Sequence, residues 1–120
     1  MPKTSGVKMV VDPAEKESMC REALGDFPEK LERENGIEDI VAQCRLMPVW
    51  ADLDGDAVRG VAALRETSPC AAEVFIIAVR KEFQRHKIGK ALFTALLNYA
   101  RRQGLSLIHI SEPTRLALIS

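Results

Sequence analysis

The sequence predicts an α/β (α+β) fold, in which a mixed, mostly antiparallel sheet is flanked by helices. The chain has 120 residues, of which 47% are apolar and 28% are charged, and this suffices for one compact domain with a core. A continuous apolar run over 74–79 is typical of a strand covered on both faces. Apolar residues at helical spacing precede it at 37–44 and follow it at 88–99, which places helices around that strand.

The first half of the chain is predicted to hold a strand and two helices before the sheet continues. The β-branched stretch 7–11 indicates the first strand. Asp12 and Pro13 then stand at the N-cap and first position of a helix that ends near Gly25. The apolar spacing over 37–44 indicates the second helix.

A hairpin and a helix that packs back on it complete the predicted order. The segments 49–53 and 57–64 flank Asp54-Gly55-Asp56, which favours a tight turn. An EF-hand that began at Asp52 would need a glycine where Ala57 stands, so we predict no metal site here. The strand over 71–79 follows, and then a helix over 88–102 that ends before Gly104.

Charge and cysteine content narrow the classes of function. The 17 basic and 17 acidic residues balance, although residues 1–60 carry a net charge of −5 and residues 61–120 one of +5. This balance and the 5% aromatic content argue against a nucleic-acid or membrane partner. Three widely spaced cysteines without a CxxC pair predict neither a disulfide framework nor a zinc site. The apolar run 9–11 near the amino terminus is too short for a signal peptide or a membrane span, so the expected location is cytoplasmic.

The most informative segment is 80–90, which joins the buried strand to the last helix and carries a formal charge of +4. The amide groups at a helix amino terminus suit a pyrophosphate, and Gly89 would let its oxygens come close. Arg85, Lys87 and Lys90 would add positive charge. A solvated basic loop that caps a helix is the alternative. The segment lacks GxxxxGK[ST] and GxGxxG, which disfavours ATP and NAD.

These residues resemble the GNAT superfamily of N-acetyltransferases. Its signature after the fourth strand, [QR]xxGx[GA], is similar to Gln84 to Gly89, with Lys87 in place of the first glycine. Residues 50–64 resemble the second and third strands of the family, and residues 72–79 resemble the fourth. The resemblance extends over about residues 7–104.

The resemblance implies that the chain binds acetyl-CoA as the acetyl donor. It implies that the pantetheine arm pairs like an extra strand with the backbone of Ile77 to Val79, where a bulge would open the sheet. The residues implied for the cofactor are Ile77, Ala78, Val79, Gln84, Arg85, His86, Lys87, Ile88, Gly89 and Lys90.

The implied activity is transfer of an acetyl group to a primary amine of a small molecule or a peptide. Glu73 is the only carboxylate on the fourth strand and is therefore the candidate general base, directly or through water. The alternative is a Glu at the start of a strand that faces solvent. A non-catalytic acyl-CoA-binding or sensing module is the alternative function. The acceptor and the oligomeric state are not predictable from the sequence.

The last residues of the chain differ in sequence character from the predicted domain. Residues 105–115 match the translation of a transposase-end sequencing adapter, so we predict a partial GNAT domain over 1–104 and a non-native tail over 105–120. An ordinary fifth strand is the alternative. The carboxyl-terminal part of the family fold, including a general-acid Tyr, would then be missing. We expect this fragment to be inactive and poorly stable, with the edge of strand 71–79 open unless the tail covers it.

Overall fold

The computed structural model describes residues 5–25, 36–83 and 87–110. Its elements confirm the predicted mixture of helices and strands. In chain order they are β1 (Ser5–Val10), α1 (Pro13–Leu24), α2 (Gly36–Cys44), β2 (Val49–Asp54), β3 (Ala57–Ser68), β4 (Ala71–Val79), a 3-10 helix (Lys81–Phe83), α3 (Ile88–Arg102) and β5 (Ser106–Ile110).

The strands form one sheet in the order β1-β2-β3-β4-β5. The first four strands pair antiparallel, and β5 pairs parallel to β4. The ladder between β4 and β5 joins Ala71–Val74 to Ser106–Ile110. Residues of the carboxyl-terminal segment thus cover this part of the β4 edge, whereas the foreign origin of 105–120 stays a prediction.

Two apolar layers hold the sheet between its helices. On one face α1 and α2 cover a core that includes Leu24, Ile40, Val61 and Ile76. On the other face α3 covers a core that includes Trp50, Ile77, Leu92 and Leu96. Burial of both faces explains the continuous apolar run 74–79 of β4, because its side chains are divided between the two cores.

Gly60 on β3 allows the start of α3 to approach the sheet closely. A Cβ at this position would lie 3.0 Å from the carbonyl oxygen of Ala78. It would also lie 3.2 Å from the side chain of Ile88 and 3.1 Å from that of Leu92. Glycine at 60 therefore fixes how near the amino terminus of α3 sits to β3 and β4.

One helix cap and one strand boundary differ from the sequence-based predictions. Asp12 has the extended backbone of an N-cap, and Pro13 begins α1 as expected, but the Asp12 side chain makes no capping hydrogen bond. The strand predicted over 57–64 continues to Ser68, because its polar end still pairs with the start of β4. The longest described helix, α3, has 15 residues, and none of the described helices is a candidate membrane span.

Candidate functional site

A bulge in β4 is the first structural feature of the candidate site. Ala63 pairs with Ile76 and Leu64 pairs with Val74, so Phe75 is an extra residue on β4. Phe75 and Ile76 both pack into the core beneath α1 and α2, as two consecutive residues can at a bulge. The resemblance implies a bulge at Ile77 to Val79, and the structure has one two residues earlier, at Phe75.

Beyond the bulge, the peptide groups of β4 alternate between the β3 side and the opposite edge. The N–H of Arg80 donates to the carbonyl oxygen of Arg59 at 2.9 Å, which sets the pairing register of this end of the strand. Peptide groups alternate in direction along a strand, so those of Ala78 face β3 and those of Ile77 face the opposite edge. Among the described residues, the β5 ladder ends at Val74, three residues before Ile77.

The start of α3 is the second feature. Lys87 precedes the helix, and its side chain and that of Lys90 are exposed, whereas Ile88 and Gly89 are buried. The carbonyl oxygen of Lys87 accepts the N–H of Ala91 at 3.1 Å, so the helix is regular from its first turn. The predicted ligands Gln84, Arg85 and His86 lie outside the described residues.

Lys87 adopts a left-handed backbone conformation, with φ 61° and ψ 21°. Lys87 stands where the GNAT signature has its first glycine, and a left-handed backbone is the conformation that glycine adopts without cost. This conformation lets the chain turn from the 3-10 helix into α3. The structure thus gives a physical reason for glycine at this position of the motif.

Replacing Lys87 with glycine is expected to stabilise the fold. Relief of the left-handed strain is worth about 1–2 kcal/mol, and the greater freedom of unfolded glycine offsets roughly 0.5–1 kcal/mol of this. We expect the free energy of unfolding of Lys87→Gly to rise by about 0.5–1 kcal/mol in urea titrations. Lys87→Ala, which removes the side chain but keeps the strain, is the control and should show no such gain.

Glu73 lies on β4 just before the bulge and is only 7% exposed. Its Oε1 accepts a hydrogen bond from Nε of Arg65 at 3.0 Å, and the two residues face each other across β3 and β4. The Arg65 guanidinium also lies 4.9 Å from the centre of the Phe75 ring. The alternative of a solvent-facing Glu73 is therefore wrong, and the catalytic role of Glu73 stays a prediction.

A groove of about 390 Å³ opens beside Arg65. Its lining comes from the loop before β2 and from the end of β3, namely Leu46, Met47, Pro48, Leu64, Arg65 and Glu66. Leu46 is 89% exposed in this groove. Neither the groove nor Arg65 is predictable from the sequence, because nothing in a linear pattern brings residues 46–48 against residues 64–66.

Several residues outside the candidate site have structural roles. Trp50 is 4% exposed and meets Tyr99 edge-on, with ring centres 5.2 Å apart, so both pack between the sheet and α3. Hydrogen bonding to Arg21 lowers the pKa of Glu38, and this exposed pair links α1 to α2.

Within 5–25, 36–83 and 87–110, no three His, Cys, Asp or Glu side chains form a metal-binding group.

Comparisons with known proteins agree with this architecture. A profile described as "Acetyltransferase (GNAT) family" matches residues 15–118, which is most of the chain. The mixed sheet flanked by helices is the fold of acetyltransferase domains of this type. The chain belongs to the GNAT family of acetyltransferases. A comparison with curated protein sequences gave no match.

Three solved structures illustrate the similarity of fold. Rv2747 from Mycobacterium tuberculosis, in complex with CoA and NLQ, is 20% identical with a TM-score of 0.64, over 82% of this chain and 60% of its own. An IAA acetyltransferase from Bacillus cereus is 27% identical with a TM-score of 0.61, over 86% of this chain and 62% of its own. The aminoglycoside acetyltransferase meta-AAC0020 from an uncultured soil metagenomic sample, in complex with sisomicin, is 17% identical with a TM-score of 0.61, over 87% of this chain and 73% of its own. The chain therefore spans about three fifths of the length of the first two.

Proposed function

We propose that the chain binds acetyl-CoA and belongs to a domain whose reaction is transfer of the acetyl group to a primary amine. The inactivity expected of the 120-residue chain itself stays a prediction. One observation carries the proposal: the peptide groups of Ile77 face the edge of β4 beyond the β5 ladder, and the close approach at Gly60 places the start of α3 beside Ala78. Membership of the GNAT family supports the same reading. The acceptor is a small-molecule or peptide amine, and we propose a cytoplasmic location.

The chemistry of these groups fits CoA. A pantetheine arm carries amides, which the peptide N–H and C=O of Ile77 can pair with as a neighbouring strand would. The first amides of α3 have no partner within the helix and suit the diphosphate. The exposed side chains of Lys87 and Lys90 supply positive charge close to those amides.

Acetyl-CoA supplies an activated thioester, and the residues of the chain orient it and manage the proton. The amine nitrogen forms a bond to the acetyl carbon, the carbon–sulfur bond breaks, and the amine loses a proton. Glu73 is our candidate to accept that proton through water, because it is the carboxylate on β4 next to the bulge. The proton that finally reaches the thiolate comes from a donor that we do not assign.

A non-catalytic acyl-CoA-binding or sensing module remains the second candidate. It is favoured by the ion pair between Arg65 and Glu73, since Oε1 of the proposed base is already engaged at 3.0 Å. Such a module would use the same cofactor contacts and would need no free carboxylate.

Titration of acetyl-CoA into the 120-residue chain, followed by calorimetry, tests the proposal. We expect saturable binding that weakens as salt rises, because much of it is between phosphates and lysines. Absence of binding would overturn both candidates. Release of free thiol in the presence of a panel of primary amines then separates them, and Glu73→Gln should lower any such rate about 100-fold or more if Glu73 is the base. A Glu66→Gln variant, exposed on β3, is the matched control.

A further inference from the structure

A second bulge lies near the start of β3. Leu53 pairs with Val58 and Asp52 pairs with Gly60, so Arg59 is the extra residue. The carbonyl oxygen of Arg59 accepts the N–H of Arg80, the first residue after β4. The bulge in β3 therefore contacts the point where the chain leaves the sheet toward α3.

Glu22 of α1 reaches this bulge from the other side. Its Oε2 accepts the backbone N–H of Val58 at 3.2 Å and lies 3.4 Å from Nη1 of Arg80. One carboxylate oxygen thus joins α1, the bulged strand and the exit of β4. The side chain of Glu22 is 42% exposed and that of Arg80 is 26% exposed, so this ion pair is partly shielded from water.

Arg80 extends the connection into the 3-10 helix. Its Nη2 lies 3.5 Å from Oε1 of Glu82, and its guanidinium lies 6.0 Å from the centre of the Phe83 ring. Glu82 and Phe83 belong to the turn that leads toward α3. The guanidinium of Arg80 is therefore held between α1 and the first turn of the connection to the proposed phosphate site.

We propose that Glu22 is a positioning residue for acetyl-CoA binding, acting through Arg80. The inference rests on the proposed function and adds to it a role for α1, which contributes no group to the phosphate site itself. By fixing the guanidinium, Glu22 sets the direction in which the chain leaves β4. The 3-10 helix that Arg80 contacts precedes Lys87 and the first amides of α3 in the chain, so its direction contributes to where these groups meet the diphosphate.

A double-mutant cycle measured by calorimetric titration of CoA tests the proposal. Glu22→Gln keeps an oxygen for the N–H of Val58 but removes the charge that faces Arg80, and Arg80→Gln removes the other partner. We expect each variant to weaken CoA binding about threefold to fivefold, the effect of one partly exposed ion pair. We expect the double variant to be no weaker than either single one, because both act through one contact. Arg80→Lys should recover part of the affinity.

The matched control is Glu38→Gln, which removes another carboxylate paired with an arginine, at the interface of α1 and α2. It should leave CoA affinity unchanged. Unchanged affinity in Glu22→Gln, with only a lower melting temperature, would overturn the proposal in favour of a purely structural contact. Losses that multiply in the double variant, or a loss in Arg80→Gln far above that in Glu22→Gln, would also overturn it, since Arg80 would then act on phosphate directly. If the unaltered chain binds no CoA, the proposed function fails first.

Discussion

Reversing both exposed charges at the start of α3, with Lys87→Glu and Lys90→Glu together, is expected to weaken acetyl-CoA binding about 100-fold or more. A charge-assisted hydrogen bond to phosphate contributes about 1.5–3 kcal/mol, and the variant loses two while adding repulsion. Calorimetric titration at low and moderate salt measures the effect, and the salt dependence of the residual binding should flatten.

The same variant should fold as well as the unaltered chain. Both lysines are exposed, and acidic side chains near a helix amino terminus interact favourably with the helix dipole. A loss of binding therefore cannot be attributed to unfolding, and thermal denaturation checks this directly.

Arg101→Glu with Arg102→Glu is the matched control for this experiment. It makes the same change in net charge on exposed residues at the opposite end of α3. Acetyl-CoA should bind this variant nearly as well as the unaltered chain. Equal weakening by the two pairs of substitutions would show that only the overall charge matters, which contradicts a phosphate site at the start of α3.

Local patterns in the sequence were sufficient to predict most of the helices and strands. The turn at Asp54-Gly55-Asp56 lies between β2 and β3, and Gly55 has φ 63°, as a turn glycine can. The helix predicted over 88–102 is α3, with the bounds Ile88–Arg102. Turn chemistry and apolar spacing are encoded by neighbouring residues, so one stretch of sequence is enough to predict each of these elements.

The features that shape the candidate site depend on contacts between distant residues. The sequence of the apolar run 74–79 does not indicate whether the strand contains a bulge. Only the pairing of β4 with Ala63 and Leu64 identifies Phe75 as the extra residue. Similarly, Glu73 is buried because Arg65 faces it from β3. The family signature identified Lys87 as a site residue. The left-handed backbone of Lys87, however, is not indicated by the sequence, because it depends on how α3 packs on the sheet.

Asp52 forms the most buried ion pair among the contacts described, and its removal is expected to have a large effect on stability. The side chain of Asp52 is 5% exposed and that of Arg59 is 24% exposed, with 2.6 Å between Oδ1 and Nε. Asp52→Ala would leave the guanidinium of the bulged residue partly buried without its counter-charge. Breaking a buried pair in this way costs about 3–5 kcal/mol, and the partial exposure of Arg59 places our expectation near the lower value, about 3 kcal/mol.

Urea unfolding measures the free energy of unfolding of Asp52→Ala and of Asp54→Ala. The comparison shows whether the destabilisation comes from loss of the ion pair or would follow from removal of either aspartate on β2. Asp54 lies two residues further along the same strand and is exposed, so its removal should change the free energy of unfolding by less than about 0.5 kcal/mol. The double variant Asp52→Ala with Arg59→Met should recover part of the loss, because it leaves no unpaired buried charge. Equal destabilisation by Asp52→Ala and Asp54→Ala would contradict the argument. So would a double variant less stable than Asp52→Ala, because the guanidinium would then contribute through packing at the bulge rather than through its charge.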